Sequence, residues 1–411
     1  MNNKLLITQK EEHILTAWQE EGRICRFQFD SEQNTEILGN IYVGKVRNIV
    51  KNINAAFVEF KKGQMGYLSL QESFIPLHTD AVTRQDNRVL IGDEIIVQVA
   101  KEAVKTKPPT LSGRIDLAGQ YVVLCSGTTK ISVSHKIKEK ENRERILSVL
   151  QQMAAQYQDD TQNACSFGFI ARTNSASVSE DLLLKEAENL ITRFHEIVQF
   201  GRHKSQFSCL YQAPAGYLSS IQDLRQDTYQ EIITDCEGIY QKIIEFLAEN
   251  HWEKHFEVTL WDEENGKLDA VFDISKNLER ALRQKVWLKS GAYLVIQPTE
   301  ALVSIDVNTG KAISKKKDVQ KTFLKVNKEA AAEIAVQLRL RNLSGIILID
   351  FIDMQREEDN QELLAFFRKE LAKDSVPSIV VDMTKLGLVE MTRKKVRKSL
   401  QEQLYDKGEN R

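Results

Sequence analysis

The chain has 411 residues, of which 42% are hydrophobic and 28% are charged, and its formal net charge is -2. These values are ordinary for a globular protein, and the length suits roughly two to four domains. The six prolines and nineteen glycines exclude a long low-complexity linker. The near-neutral charge also excludes binding of nucleic acid by global attraction, so such binding would require local basic surface.

The first third of the chain has the pattern of a small β module. Short strand patterns fill residues 1–36. Further strands are predicted at Asn40–Ile49, Ala55–Phe60, Met65–Leu70 and Glu94–Ala100. Five or so short strands over about eighty residues are typical of an oligonucleotide-binding (OB) barrel.

Two aromatic residues of this module, Phe57 and Tyr67, fall on the mixed faces of their strands, because residues such as Ala56 and Val58 alternate with them on an apolar face. A ring on the wetter face of such a barrel can stack on unpaired bases. The pattern equally suits rings that cover a hydrophobic edge or a neighbouring domain, and the alternation leaves both interpretations open.

Residues 118 to about 205 form a separate mixed segment, with strands predicted at Tyr121–Cys125 and Gly168–Arg172. A helix from Ser179 to about Phe200 begins with Ser-Glu-Asp, which is typical of a capped N-terminus. Arg172 and Thr173 place a planar charged donor beside a hydroxyl, which suits a terminal phosphate. An ordinary surface salt bridge is the competing explanation for Arg172.

The next segment, residues 219–249, is predicted to be helical because Tyr229, Ile232 and Ile239 lie near helical spacing. Strands are expected to follow at Phe256–Trp261 and around Ala270–Phe272.

The last third alternates strands and helices. Strands are predicted at Tyr293–Ile296, Ala301–Asp306, Ile346–Asp350 and Ser378–Asp382, and helices at about Val319–Arg341, at Asn360–Ala372 and from near Leu388. This order indicates a parallel sheet covered on both faces.

Two of these strands end on an aspartate, Asp306 and Asp350. In open parallel sheets ligands gather beyond the carboxyl ends of the strands, so adjacent strands would bring both carboxylates together. With Asn308 and Asp353 nearby, the site would offer the hard oxygen ligands that Mg²⁺ prefers, and Mn²⁺ is an alternative. The competing interpretation is that each aspartate only caps the helix or turn that follows it.

Zinc is not expected, because neither aspartate motif contains histidine and the five cysteines have no Cys-x-x-Cys spacing. The odd number of cysteines also argues against a disulfide framework and suits a reducing compartment. Neither a signal-peptide core nor a run long enough to span a bilayer is found. We therefore expect a cytoplasmic protein without a membrane partner.

Basic residues follow the aspartate motifs. They are Lys311, Lys315, Lys316, Lys317, Lys385, Arg393, Lys394, Lys395, Arg397 and Lys398. Contact with phosphates needs such charges, although a lysine run is more often a solvated face.

Long motifs in this sequence resemble the bacterial ribonuclease E/G family. Residues 299–310, 337–345 and 349–354 are similar to its catalytic region, 40–46 and 55–59 to its S1 RNA-binding domain, and 169–173 to its pocket for the RNA 5′ end. The resemblance implies a Mg²⁺-dependent endoribonuclease that hydrolyses single-stranded RNA to 5′-phosphate and 3′-hydroxyl ends. It further implies rRNA maturation or mRNA decay, with a preference for 5′-monophosphorylated substrates.

The resemblance also implies roles for individual residues. The catalytic residues would be Asp306, Asn308 and Asp350, and the two aspartates would hold the metal. RNA would be bound by Phe57, Tyr67 and Lys107. The 5′ phosphate would be bound by Val123, Arg172 and Thr173. Tyr67 stands where the family is expected to have phenylalanine. The alternative function is that of a non-catalytic S1-type RNA-binding protein.

The implied fold is a multidomain α/β protein. A split RNase H-like portion (1–36 and 206–276) would enclose two inserted regions, an S1 (OB-fold) barrel (37–117) and a 5′-sensor region (118–205). A DNase I-like catalytic portion (277–400) and a tail (401–411) would follow the second half of the split portion. The 411 residues contain no counterpart of the Cys-containing zinc element that often follows in the family. A zinc-linked tetramer is therefore not expected, whereas a homodimer is compatible with the sequence.

Overall fold

The computed structural model describes residues 3–31, 37–71, 75–76, 89–103, 107–158, 166–224, 228–310 and 319–405. The chain divides into two compact units. The split unit contains Met1–Gln33 and Asp227–Arg411, and the inserted unit contains Asn34–Gln226.

The chain begins with three consecutive antiparallel strands, which are β1 (Asn3–Lys10), β2 (His13–Glu20) and β3 (Arg23–Ser31). Leu5, Leu6 and Ile7 of β1 are fully buried, although they are adjacent in sequence. Consecutive buried residues show that this strand has a covered surface on both of its faces.

The inserted unit opens with a barrel. Its strands are β4 (Ile41–Val50), β5 (Ala55–Lys61), β6 (Gln64–Ser69), β7 (Ile75–Pro76), β8 (Glu94–Lys101) and β9 (Thr110–Ser112). β4, β5, β6, β9 and β8 pair in that order, and β8 pairs back to β4, so the five strands form a closed ring. A Cβ on Gly44 would lie 2.6 Å from Val58 and 2.9 Å from Val97, so the interior requires glycine there. The predicted small barrel is confirmed.

The rest of the inserted unit is mixed. Its elements are β10 (Asp116–Ala118), β11 (Val122–Ser126), β12 (Ile131–Val133), α1 (Lys140–Gln158), β13 (Phe167–Ala171), α2 (Glu180–His203), β14 (Cys209–Tyr211) and α3 (Gly216–Gln222). Strands β10, β11, β13 and β12 form one sheet. Buried residues of this sheet, such as Phe169, share a core with Leu150 of α1 and Phe194 of α2.

The split unit resumes with β15 (Tyr229–Thr234), α4 (Glu237–Glu249), β16 (Glu257–Leu260), α5 (Leu268–Val271) and α6 (Ile274–Leu282). β15 and β16 are parallel to β1 and complete its sheet. The helix expected through Tyr229 and Ile232 is wrong, because Ile232 and Ile233 are both buried in a central strand and thus lack strand alternation. The strand expected around Ala270–Phe272 is also wrong, since these residues overlap α5.

The C-terminal sheet contains β17 (Lys285–Trp287), β18 (Tyr293–Pro298), β19 (Leu302–Asn308), β20 (Gly345–Asp350), β21 (Ser378–Met383) and β22 (Leu388–Arg393). Its helices are α7 (Val319–Leu340) and α8 (Glu357–Leu371), and α9 (Leu400–Tyr405) follows. The strand order is β17-β18-β19-β20-β22-β21, in which only β19 and β20 are parallel.

The expectation of a parallel, doubly covered sheet is therefore wrong. Ile305 and Ile347 lie on the face that packs against Ile334 of α7 and Phe367 of α8. The opposite face, which we call the open face, carries exposed residues such as Ile346. The helix expected from Leu388 is wrong as well. Those residues form a strand, in which buried and outward-facing side chains alternate.

Within the part of the chain that the structure describes, no helix is long and apolar enough to cross a membrane. The mixed α/β character and the barrel agree with the sequence analysis, while the RNase H-like and DNase I-like arrangement and the domain boundaries stay predictions.

Candidate active site

The two strand-terminal aspartates lie side by side. β19 and β20 are neighbours in parallel register, with Asp306 directly opposite Asp350. Both side chains belong to exposed residues on the open face, because the alternate residues Ile305 and Ile349 point into the core. Two carboxylates thus meet on a surface that is accessible to a large substrate.

Asn308 joins this pair, since its side-chain amide donates a hydrogen bond to Asp306 Oδ2. Burial and the negative charges of Asp306 and Asp353 raise the pKa of Asp350. Among the described residues, none of the three carboxylates forms an ion pair. A bound metal ion would relieve this concentration of negative charge.

The alternative role as helix caps requires a backbone N–H bond to each aspartate. In the described segments, neither Asp306 nor Asp350 accepts such a bond. The turn after Asn308 is instead shaped by Gly310, whose φ is +51° and where an added Cβ would lie 2.4 Å from the carbonyl oxygen of Gly291. The lysines expected nearby, Lys311 and Lys315 to Lys317, lie outside the described residues.

The C-terminal basic run does not act as one surface. Arg393 is buried and forms an ion pair of 2.8 Å with Asp374, whose side chain is also buried. Its guanidinium also donates to Asn342 Oδ1 and to the Leu343 carbonyl, at 2.9 Å each. Arg393 therefore holds β22 in place and is unavailable for phosphate, while Lys394 beside it is exposed.

The aromatic residues of the barrel form a cross-strand pair. Phe57 and Tyr67 are opposite each other on β5 and β6, with ring centroids 6.3 Å apart in an edge-to-face arrangement. Both are partly exposed, whereas Val58 is fully buried, so the predicted alternation of faces is confirmed. Lys107 is exposed and lies two residues before Pro109, whose carbonyl accepts the Tyr67 N–H at 2.8 Å.

The three residues assigned to the 5′ phosphate also come together. Val123 on β11 pairs with Ile170 on β13, and Arg172 follows β13 directly. The Arg172 guanidinium donates to the Gly119 carbonyl at 2.7 Å and to the Asp223 carboxylate. Thr173 Oγ1 lies 3.1 Å from Ser134 Oγ.

Sequence reasoning missed two acidic residues around Arg172. Asp223 is its ion-pair partner. Glu186 of α2 is buried and accepts the N–H groups of Gln120, Tyr121 and Val122 at 2.9, 2.7 and 2.9 Å, and burial raises its pKa. These bonds fix the turn that presents the Gly119 carbonyl to Arg172. The sequence offered one signal for Glu186. It falls on the apolar side of the predicted helix, on the same side as Leu183 and Leu190.

Comparison with known proteins places these features in a family. The model of the "Ribonuclease E/G family" matches residues 116–396, which include the strands of both aspartates. This chain belongs to the ribonuclease E/G family. The resemblance drawn from the motifs is thereby confirmed, and the member described here is an endoribonuclease.

Its relatives align over nearly all of its length. Ribonuclease G of Escherichia coli (strain K12) is 31% identical over 98% of this family member and 81% of the relative. Ribonuclease G of Haemophilus influenzae is 31% identical over 97% and 80%, respectively. A ribonuclease E/G-like protein of Porphyra purpurea is 32% identical over 89% of the chain and 70% of its own length.

Proposed function

We propose that this chain is a Mg²⁺-dependent endoribonuclease that hydrolyses single-stranded RNA to 5′-phosphate and 3′-hydroxyl ends. The observation that carries the proposal is the register of Asp306 and Asp350, opposite each other on adjacent strands of the open face. Ribonuclease G relatives that align along nearly the whole chain support RNA as the substrate class. The natural substrates that we would test first are rRNA precursors and mRNA.

The donor atoms of the site suit Mg²⁺. The ion is usually held by one or two carboxylates while several waters stay bound, and Mn²⁺ accepts the same oxygen ligands. Among the described residues, no group of three or more His, Cys, Asp or Glu side chains is placed to hold a metal ion together. A pair of carboxylates beside an amide therefore fits a cation that retains much of its water. When bound, Mg²⁺ would neutralise charge on the scissile phosphate and increase the acidity of a nearby water.

The protein would contribute rigid placement of these ligands. Asp306 and Asp350 sit on paired strands whose other face is packed into the core, so their separation is fixed by backbone hydrogen bonds. The amide of Asn308 orients one oxygen of Asp306. The side-chain carbonyl oxygen of Asn308 would then be available to hold water or the cation. Such fixed placement of the ligands before the substrate binds would account for much of the rate acceleration.

The substrate would be held by surfaces on the inserted unit. Phe57 and Tyr67 offer partly exposed rings for base stacking, which tolerates any sequence, and Lys107 offers a charge for the backbone. Arg172 and Thr173, beside Val123, offer a guanidinium and a hydroxyl for a 5′ monophosphate. Cleavage should then be faster on a 5′-monophosphorylated RNA than on its 5′-hydroxyl equivalent.

The test is cleavage of a defined single-stranded RNA with Mg²⁺ present or removed by EDTA. We expect cleavage only when the metal is present. The products should carry 3′-hydroxyl and 5′-phosphate ends. Cleavage that persists in EDTA, or products with cyclic 2′,3′-phosphate ends, would refute the hydrolytic, metal-dependent proposal.

A further inference from the structure

The open face of the C-terminal sheet carries an aromatic cluster that none of the assigned roles uses. Trp287 on β17 and Tyr293 on β18 are opposite each other, with ring centroids 5.1 Å apart. The ammonium of Lys285 lies 4.2 Å from the centroid of Trp287 and 3.6 Å from that of Tyr293. The cluster therefore combines two rings and one cation at the edge of the sheet.

Register places this cluster in line with the carboxylates. Opposed residues on paired strands share a face, so Trp287, Tyr293 and Asn308 form one row across three strands. The next row runs from Lys285 through Val295 to Asp306 and Asp350. Since neighbouring strands are about 4.8 Å apart, the backbone of Trp287 lies roughly 10 Å from that of Asn308.

The exposure of Trp287 distinguishes it from the other tryptophans. Its side chain is 63% exposed, whereas Trp18 and Trp252 are 5% and 3% exposed and Trp261 is partly buried. A tryptophan that serves packing buries its large apolar surface. An exposed indole on the same face as the catalytic carboxylates instead has the property that base stacking requires, which is an accessible π-surface.

We propose that Lys285, Trp287 and Tyr293 form a nucleotide subsite in which an unpaired RNA base stacks on Trp287 and Lys285 contacts a backbone phosphate. The subsite rests on the proposed function, because it serves a strand whose scissile phosphate lies at Asp306 and Asp350. It holds a nucleotide close to the one being cut, on the same rigid sheet. The alternative is that Lys285 contacts the two rings only to stabilise the edge strand β17. In that case RNA would not contact the cluster.

The first experiment uses the fluorescence of the native protein. A short 5′-hydroxyl single-stranded RNA is titrated in EDTA, and tryptophan emission is followed in the full-length wild type and in Trp287→Phe. Stacking should quench the emission of the wild type, and Trp287→Phe should lose the quenching while binding the RNA within about threefold, since a phenyl ring still stacks. Equal quenching in both proteins, or none in the wild type at saturating RNA, would overturn the subsite.

The second experiment measures binding and cleavage by Trp287→Ala. Loss of one stacked base should weaken RNA affinity by a factor between about 5 and 150. Ile379→Ala is the matched control, because Ile379 is 64% exposed on the same sheet but at the opposite edge; its affinity should equal that of the wild type. Unchanged affinity in Trp287→Ala would contradict the proposal.

An abasic scan identifies the base concerned. One abasic position near the cleavage site should slow the wild type about as much as Trp287→Ala does, and should have no further effect in that variant. If an abasic site at any position slowed cleavage by Trp287→Ala by the same further factor, the subsite would be overturned. A wild type that cannot cut the intact RNA in Mg²⁺ would instead refute the proposed function, so the two failures are distinguishable.

Discussion

Asp223 should limit the response of the enzyme to a 5′ phosphate. Its carboxylate is the ion-pair partner of Arg172, so an incoming phosphate would have to replace it on the guanidinium. Asp223→Asn keeps the shape and removes the competing charge. The phosphate would then bind without first breaking an ion pair.

The size of this effect follows from exposure. The side chains of Arg172 and Asp223 are 27% and 52% exposed, so solvent screens the pair and about 1 kcal/mol is an upper value for it. That energy corresponds to roughly a fivefold change in binding. The preference for 5′-monophosphorylated over 5′-hydroxyl RNA should therefore rise by up to about fivefold in Asp223→Asn.

The assay compares kcat/KM for the two RNAs, which differ only at the 5′ end. Asp116→Asn is the control, because Asp116 has a similar exposure of 53% and its ion-pair partner is Arg114 instead of Arg172. Its preference should not change. A preference that stays constant or falls in Asp223→Asn would refute the reasoning and would indicate that Asp223 positions Arg172 for the phosphate.

Three further predictions concern binding and stability. Phe57→Ala should weaken affinity for single-stranded RNA by about 1–3 kcal/mol, the value of one stacked base, while Tyr67→Phe should stay within about twofold in the same filter-binding assay because the ring remains. Asp374→Ala should lower the free energy of unfolding of the split unit by about 3 kcal/mol in urea titrations, since the buried guanidinium of Arg393 then loses its carboxylate partner; a change below 1 kcal/mol would contradict a structural role. Burial lowers the pKa of His195 below its ordinary 6.5, and its Nε2 has no partner among the described residues. The unfolded chain thus binds more protons, so stability should fall as the pH drops below about 6.5, and His195→Phe should reduce that loss in thermal melts at several pH values.

The sequence predicted the meeting of the aspartates well. Two strand patterns that each end on Asp and are joined by a helix leave few arrangements other than neighbouring parallel strands, and Asp306 and Asp350 are indeed opposite each other. The barrel was equally predictable, because Ala56, Val58 and Phe60 alternate with polar or aromatic residues. Both results depend on local periodicity.

The remaining features depend on contacts that are distant in sequence. β22 inserts between β20 and β21 and is antiparallel to both, and no local pattern encodes that order. β15 lacks alternation because both faces of its sheet are covered by other elements, so that Ile232 and Ile233 are both buried. Asp223 meets Arg172 across 51 residues of sequence. The short strand Lys285–Trp287 has too few residues to show any period.

The most direct test of the central claim is cleavage of a defined single-stranded RNA by Asp350→Asn in Mg²⁺. Removing one of the two carboxylates that face each other should lower kcat/KM at least about 100-fold, while RNA affinity stays close to that of the wild type. Asp382→Asn changes an exposed aspartate on the edge strand of the same sheet and should cut normally. Cleavage by Asp350→Asn at the wild-type rate would contradict the assignment of the metal site.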